Sequence, residues 1–344
     1  MFATYAGRRI LIAIPVLFGV SILSYALLSI SAGDIVPGLS LGPGITPADI
    51  QRIRNDLGLN EPFWQQYLNW SGLLYPLGRL GVFHGRFTTG LLEGNFGNSM
   101  VNGVPVMSII GSRIGNTVEL ALTGMLVGIV VAIPTGVYAA RHRGGVIDNL
   151  LTGLSVAGVA VPGFWLGLLL ILFFSVVLTE WGLPSLPASG AVSPIDGGGL
   201  LDRLSHLILP ASVLAFSYLA VWSRYMRSSM IEALGQDYVR TAWAKGMPAR
   251  RVVYAHALRN AVLPLITLVG LELPNVFAGS AVIEIVFSWP GLGWQAYQSA
   301  TQHDYTVVMA LTTFTALMIV LGNLAADLLY GILDPRIRLE GATS

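Results

Sequence analysis

The sequence contains no cysteine and only one lysine, and each scarcity excludes a class of function. Without cysteine among its 344 residues, the chain can form no disulfide framework, no thiolate nucleophile and no cysteine-ligated metal site. The one lysine, Lys245, is followed by Gly246 and Met247 rather than by Ser or Thr. A phosphate-binding loop needs Gly-Lys-Ser/Thr, so the chain carries no ATP site of that type.

Charge is also scarce. Charged residues make up 11% of the chain and hydrophobic residues 54%, with a mean hydropathy of +0.68. Soluble domains carry roughly 25% charged residues, so the composition predicts a polytopic membrane protein. The five histidines are scattered without the spacing of metal ligands, and no His-Glu-x-x-His motif occurs. We therefore predict no metal site and no catalytic residue.

The apolar residues are grouped in long runs, and six of these have the roughly 20 residues that a helical span needs. They cover residues 10–31, 117–139, 150–178, 205–223, 262–286 and 305–331. We predict an all-α polytopic membrane protein with six transmembrane helices. Arg8 and Arg9 precede the first run as in a signal peptide. That run is long enough to span, however, and no clear small-residue cleavage site precedes Asp34, so we predict a retained first span.

The cations predict the orientation of the chain. With the N-terminus in the cytoplasm, the cytoplasmic side holds Arg8, Arg9, Arg141, Arg143, the seven cations from Arg224 to Arg259, Arg336 and Arg338. Short loops rich in Arg and Lys face the cytoplasm. We therefore predict a multi-pass protein of the cytoplasmic membrane with both termini inside. Its segments are the N-terminus and first helix (1–31), an extracytoplasmic segment (32–116) and a five-helix core (117–344).

One cytoplasmic loop of this core, residues 225–261, is basic and is rich in helix-forming residues. Two apolar runs flank it, and Gly246 permits a sharp turn between two short helices. A short, basic, helical loop suggests a docking element for a soluble partner. The alternative from charge alone is a solvated loop that obeys the positive-inside rule, with several cations contacting lipid phosphate.

Within this loop, Asp237–Gly246, Arg250–Val252 and His256–Asn260 resemble the EAA loop of ABC importer permeases, in the version of the dipeptide, oligopeptide and nickel permease family. Two departures are similar to those of this subfamily. Arg240-Thr241-Ala242 stands where the general motif has Glu-Ala-Ala, and Leu258-Arg259 stands where it has Leu-Pro. Matching segments elsewhere extend the resemblance over essentially the whole chain: Leu57–Pro62, Gly94–Ser99, Phe287–Gly293 and Leu333–Arg336.

The resemblance implies the type I ABC importer permease fold and a transport complex. Expected partners are a homologous second permease, two cytoplasmic ATPases, an extracytoplasmic substrate-binding protein and membrane lipid, with no nucleic acid. ATP and Mg would be bound by the ATPases, and this chain would bind no cofactor. It would line half of a peptide pathway and work by alternating access. The resemblance assigns the ATPase-coupling role to Asp237, Tyr238, Arg240, Ala242, Lys245, Gly246, Arg250, Arg251, His256 and Asn260.

Candidates for the translocation path lie in the third and fifth predicted spans. Carboxylates inside a membrane are costly and usually functional, so Glu272, close to Asn275, is a candidate contact for the amino group of a peptide. The alternative is an interhelical hydrogen bond. Pro162 and Phe164 form a candidate gate hinge, or else a plain helix kink packed by aromatic residues. We interpret Glu284 and Asp327 as structural.

Three rival functions stay open at this stage. One is a secondary transporter driven by an ion gradient, with Glu272 or Asp327 as proton carrier. Another is a permease of the same family that carries nickel chelates or sugars. The third is a membrane scaffold or receptor that recognises ligands through residues 32–116. The sequence does not identify the substrate.

Overall fold

The computed structural model describes residues 11–26, 61–73, 90–194, 198–276 and 280–333, together with the single residues 7, 30, 46 and 48. The side chains of Leu273 and of residues 327–333 are outside the description. The helices in these ranges are α1 (Leu11–Ala26), α2 (Phe63–Ser71), α3 (Val106–Arg141), α4 (Val146–Ala160), α5 (Gly163–Glu180), α6 (Leu200–Leu234), α7 (Asp237–Ala244), α8 (Ala249–Ala261), α9 (Leu263–Glu272), α10 (Ala281–Val286), α11 (Leu292–Thr301) and α12 (Tyr305–Leu333).

The described residues contain helices and no strand, which confirms the all-α prediction. Among them, four helices are long and apolar enough to cross a membrane: α3, α5, α6 and α12 as far as Ala326. The pair α8 and α9 passes the same test only together, with a bend of 41° between its halves. The predicted count of six spans is therefore not confirmed within the described residues. Of the first predicted span, only α1 and residue 30 are described.

The third predicted span, 150–178, is interrupted at Pro162, where the sequence predicts a kink or a break. The chain forms two helices here, because α4 ends at Ala160 and α5 begins at Gly163. Val161 is extended, with φ −80° and ψ 121°, since the ring of Pro162 disfavours helical geometry in the residue before it. The predicted break at Pro162 is thus confirmed, and α5 alone reaches membrane-spanning length.

The prediction of one continuous fifth span at 262–286, with Pro274 tolerated inside it, is wrong. Helix α9 ends at Glu272, and a 3-10 turn follows at Leu273–Val276. Pro274 lies in this turn, and its missing N–H prevents an uninterrupted helix. Residues 277–279 are outside the description, and α10 then has only 6 residues. Predictions that concern residues 32–45 and 334–336, and the side chain of Asp327, also fall outside the described part.

The chain divides into two compact units, the first comprising Met1–Ile114 and Gln295–Leu321. Its described aromatic cluster joins Tyr25 of α1 and Tyr67 of α2 to Met309 of α12. The Tyr67 hydroxyl lies 2.8 Å from the Ser21 hydroxyl. At the start of α12, the buried Asp304 carboxylate accepts hydrogen bonds from the Ser99 hydroxyl and, at 3.1 Å, from the Met100 amide.

The second unit comprises Gly115–Trp294 and Gly322–Ser344, and helix α6 runs through its core. Along α3, small residues recur every fourth position: Gly124, Gly128, Ala132 and Gly136. A Cβ added to three of these glycines would lie 2.6–2.9 Å from the Cβ atoms of Leu214, Tyr218 and Met226 of α6. Small residues at this spacing let two membrane helices approach closely. The paired positions advance together, so α3 and α6 run parallel.

Candidate functional site

Helix α7 opens the loop that follows α6, and one of its faces is buried. Val239 is fully buried and Ala242 is 4% exposed, and both belong to an apolar cluster that includes Met226 and Met230 of α6. Residues three apart lie on the same face of a helix, so this short helix is held flat on the core by one apolar stripe. Its other face is free to meet water or a partner.

The turn after α7 has the hydrogen bonds of a Schellman motif. The Gly246 amide donates to the Trp243 carbonyl at 2.9 Å, and the Met247 amide donates to the Ala242 carbonyl at 3.4 Å. Gly246 has φ +69°, a left-handed conformation that favours glycine. Pro248 follows and precedes the first turn of α8. The sequence Gly-Met-Pro therefore ends one helix and starts the next, at the predicted position.

Helix α8 continues the buried stripe through a π-helical turn at Val252–Ala257. Val252, Val253 and Ala257 are buried in the same cluster as Val239 and Ala242. A π-turn inserts one extra residue into each turn and is frequent at functional sites. Here it turns Tyr254 outward while three of its neighbours stay packed.

The outward face of α7 and α8 combines aromatic rings with cations. Tyr238, Trp243 and Tyr254 are 40–49% exposed. The exposed cations beside them are Arg240, Lys245, Arg250 and Arg251. We call these seven residues the aromatic–basic face. Arg240 of this face forms an ion pair with Asp237 at 3.2 Å, in which both side chains are highly exposed, and such a pair adds little stability. The cations are therefore available to a partner.

The structure brings the ten predicted coupling residues into one short segment but gives them different environments. Eight are exposed: Asp237, Tyr238, Arg240, Lys245, Gly246, Arg250, Arg251 and Asn260. His256 is half-buried, and Ala242 is buried. The side chain of Ala242 thus packs α7 onto the core and does not face outward. The coupling role of the set stays a prediction.

The candidate path residues lie at the two helix breaks. Asn275 donates a hydrogen bond of 2.8 Å to the half-buried Glu272 carboxylate across the 3-10 turn. At the other break, Pro162 precedes α5, and the Phe164 ring is 47% exposed. Both pairs therefore lie where regular backbone hydrogen bonding is interrupted, as at many transporter sites.

Glu284 is fully buried, and its carboxylate is hydrogen-bonded on both oxygens. Oε1 accepts from the hydroxyls of Thr117 and Ser280, and Oε2 accepts from the amides of Gly293 and Trp294, all at 2.8–3.1 Å. These two amides belong to the first turn of α11, whose free N–H groups attract an anion. Glu284 therefore caps α11, which agrees with a structural role.

Two arginines of α6 form bidentate ion pairs with carboxylates far away in sequence. Arg227 donates to Asp148 of α4 from Nε at 2.6 Å and from Nη2 at 2.7 Å, and the Gly144 amide donates to the same carboxylate at 2.8 Å. These donors, Arg227 first, lower the pKa of Asp148 to about 2. Asp148 precedes the predicted third span.

At the other end of α6, Arg203 donates from Nε to both oxygens of Glu119 at 3.0 Å and from Nη2 to Asn116 at 2.7 Å. Its guanidinium also lies 5.7 Å from the ring centre of Trp289.

Sequence reasoning missed both ion pairs and the contact of α3 with α6. The fourfold spacing of small residues from Gly124 to Gly136 is visible in the sequence and predicts a close helix contact. No local pattern pairs Asp148 with Arg227, because the two residues are 79 positions apart. Only the fold brings them together.

Two family models match the chain. The model described as "Binding-protein-dependent transport system inner membrane component" matches residues 132–339. The model described as "Binding-prot-dependent transport system membrane comp, N-term" matches residues 2–121. Together they cover both the segment before α3 and the core that carries the aromatic–basic face.

Three relatives are similar over nearly their whole length. The oligopeptide transport system permease protein AppB of Bacillus subtilis (strain 168) is 42% identical, over 97% of this chain and 99% of its own. The dipeptide transport system permease protein DppB of Escherichia coli (strain K12) is 38% identical, over 96% and 97%. The di/tripeptide transport system permease protein DppB of Pseudomonas aeruginosa (strain UCBPP-PA14) is 36% identical, over 97% and 98%.

Proposed function

Because this chain belongs to the family of binding-protein-dependent transport system inner membrane components, and is thus the membrane-spanning permease subunit of an ATP-driven importer, we propose that it transports peptides. It is a multi-pass inner membrane protein, and ATP hydrolysis in such systems is carried out by separate subunits. The peptide assignment is supported by the names of the three relatives, which cite oligopeptides, dipeptides and di/tripeptides.

The aromatic–basic face is the proposed docking surface for a cytoplasmic ATPase. The observation that carries this proposal is that exposed aromatic rings and cations stand on a segment whose other side is buried in the core. Aromatic residues and arginines are typical of interface hot spots. A rigidly packed segment also passes on the motion of its partner, which a mobile loop would absorb. We propose a pair of ATPases, a homologous second permease and an extracytoplasmic binding protein as partners.

In the proposed cycle, the ATPases close on ATP and carry α7 and α8 with them. The movement continues into α6 and α9, which join the loop on either side, and opens the path toward the binding protein. Hydrolysis returns the path to the cytoplasm. This cycle requires the loop in the cytoplasm, and the predicted orientation, with both termini inside, meets that requirement. ATP and Mg are bound by the ATPases.

We place Glu272 and Asn275 in the path. A carboxylate inside an apolar helix is costly unless it has a function or a partner. The Asn275 amide that donates to Glu272 is neutral, so the pair offers the ammonium group of a peptide a carboxylate to bind. Glu272→Gln should raise the KM for a labelled trialanine peptide at least tenfold while ATP hydrolysis and assembly persist. An unchanged KM would remove Glu272 from the path.

Co-purification tests the composition of the complex. The tagged chain, expressed with its neighbouring genes, should bring along a second permease and ATPase subunits. Reconstituted with its binding protein, the complex should take up labelled trialanine only when ATP is supplied. Uptake by the chain alone, driven by a proton gradient, would refute the proposal in favour of a secondary transporter.

Two substitutions test the docking surface. Trp243→Ala removes an exposed ring of α7, and we expect it to weaken ATPase co-purification without affecting membrane insertion. Trp181→Ala is the matched control, because Trp181 is also exposed, at 65%, but lies outside the loop. Gly246→Pro forbids the positive φ and removes the bond to Trp243, so it should abolish association. Normal association of both loop variants would contradict the docking role.

A further inference from the structure

Helix α4 is fastened to α6 along its length by polar and close apolar contacts. Nearest the loop lies the ion pair of Asp148 with Arg227. Further along, the hydroxyl oxygens of Ser155 and Ser223 are 3.0 Å apart. Beyond them, a Cβ added to Gly158 would lie 2.8 Å from the Cβ of Ala220. Positions rise along α4 as they fall along α6, so the two helices are antiparallel.

Helix α6 therefore has tightly packed neighbours on two sides. The glycine positions of α3 hold one side, and α4 holds the other. The loop follows directly, because α6 ends at Leu234 and α7 begins at Asp237. Any force from the loop enters α6 at the end where Arg227 lies.

The Asp148 carboxylate has little freedom to exchange partners. Its side chain is 2% exposed, and the structure gives it three hydrogen bonds, two from Arg227 and one from the Gly144 amide. Separating α4 from α6 here would break both hydrogen bonds from Arg227 to a buried carboxylate, and removing one partner of a buried ion pair is strongly unfavourable. The less costly alternative is for α4 to move with α6.

We infer that Asp148 and Arg227 are positioning residues for transport, which hold α4 to α6 so that both helices follow the coupling loop as one body. This inference rests on the proposed function, because it assigns the pair a part in the same transport cycle. It makes two claims: α4 and α6 do not slide past each other during transport, and the ion pair is what keeps them together under load.

A disulfide between α4 and α6 tests the first claim. The chain has no native cysteine that could form a competing disulfide. The facing hydroxyls allow Ser155→Cys and Ser223→Cys with little change in shape. In the complex reconstituted with its binding protein, oxidation should cross-link the two helices and leave ATP-dependent uptake of labelled trialanine within about twofold of the reduced sample. Each single-cysteine variant controls for oxidation itself. Loss of uptake on cross-linking, restored by a reductant, would overturn the inference.

Arg227→Met tests the second claim through the number of ATP molecules hydrolysed per peptide transported. We expect basal ATP hydrolysis and co-purification to persist while this ratio rises several-fold. The exchanged pair Asp148→Arg with Arg227→Asp should restore part of the coupling. Arg224→Met, one turn away on the same helix and exposed, should leave the ratio unchanged. An unchanged ratio in assembled Arg227→Met would contradict the positioning role.

The unmodified complex separates this inference from the proposed function. If it shows no ATP-dependent uptake of trialanine, the proposed function fails. Only the inference fails if the unmodified complex transports normally but cross-linking stops uptake. The same holds if Arg227→Met leaves the ratio of ATP hydrolysed to peptide transported unchanged. Because the cysteine pair is nearly isosteric with the serine pair, the disulfide still tests the first claim if Arg227→Met fails to assemble, and the exchanged pair Asp148→Arg with Arg227→Asp then tests the second.

Discussion

Each end of α6 carries a bidentate ion pair between an arginine and a carboxylate, but the two pairs lie in different surroundings. At one end Arg227 forms a bidentate pair with Asp148, and at the other Arg203 forms one with Glu119. The arginines are similarly exposed, at 27% for Arg227 and 33% for Arg203, whereas the carboxylates differ, at 2% for Asp148 and 31% for Glu119. One carboxylate is thus sealed in protein, and the other can be reached by water.

This difference in burial gives the two pairs different mechanical properties. The Arg203–Glu119 pair, about one third exposed, can open because water solvates both charges, and ion pairs open to water contribute little net stability. The Asp148 carboxylate is shielded from water, so opening its pair with Arg227 costs more. The end of α6 that leads into the loop is therefore the more firmly held one. The far end, which also contacts Asn116 and Trp289, is the one that can rearrange.

The largest effect should come from separating α3 from α6. The contact between these helices supports α6 between its two ion pairs. Gly128→Leu places a side chain where even a Cβ would lie 2.9 Å from Tyr218. Overpacking of this kind typically costs about 1–3 kcal/mol, and more where backbones must move. We expect loss of the folded complex in detergent, measured by size-exclusion chromatography. Gly115→Leu, on the same helix with nothing within 4 Å, is the control and should remain assembled.

The next largest effect should come from replacing each of the two arginines, Arg227 and Arg203, by methionine. Arg227→Met leaves Asp148 buried without its cation, and Arg203→Met leaves Glu119 within reach of water. The melting temperature of the purified complex should fall about three times as far for Arg227→Met as for Arg203→Met, since only the first leaves a buried charge unpaired. Equal shifts would show that burial does not distinguish the two ends.

A smaller effect is expected at the turn that ends α7. Gly246→Ala has room for its methyl group, since nothing lies within 4 Å, but Gly246 has φ +69°. A left-handed conformation costs a non-glycine residue about 1–2 kcal/mol. The melting temperature should fall slightly while ATPase co-purification stays intact. Loss of co-purification in this variant would mean that the turn itself touches the partner.

The smallest effect is the pH dependence of the buried pair. The pKa of Asp148 is about 2 against about 3.9 in an unfolded chain. A lowered pKa stabilises the fold above the unfolded value and loses that contribution as pH falls toward the folded value. The melting temperature difference between the unmodified complex and Asp148→Asn should therefore be constant from pH 5 to 8. It should shrink only between about pH 4 and pH 2. A change near pH 6 would point to a different group.

Sequence reasoning succeeded where the cause is local. The Gly246-Met247-Pro248 turn and the break at Pro162 follow from backbone geometry that these residues impose on themselves and their neighbours. It failed where two causes compete. Residues 262–286 are apolar throughout, which predicts one span, yet the helix ends at Glu272 before Pro274. The prediction gave more weight to run length and hydropathy than to Pro274. In the structure, Pro274 interrupts the helix.

The candidate site shows the same limit. Composition and residue order were sufficient to predict the coupling loop, its cations and the turn at Gly246. It did not separate Ala242, which is buried, from its exposed neighbours such as Trp243. Which face of a short helix is buried depends on the partner surface, here Met226 and Met230 of α6.

The sequence by itself determined that the protein is a helical membrane protein without an ATP site of the P-loop type, with seven of its 19 cations between Arg224 and Arg259. These properties depend on composition, run length and short motifs. Only the tertiary structure decided which distant residues meet: Arg227 with Asp148, Glu284 with the start of α11, and the glycines of α3 with α6. The physical reason is that a buried charge needs a partner to offset its desolvation, and a close helix contact needs a complementary surface. Helix packing decides which residues supply them.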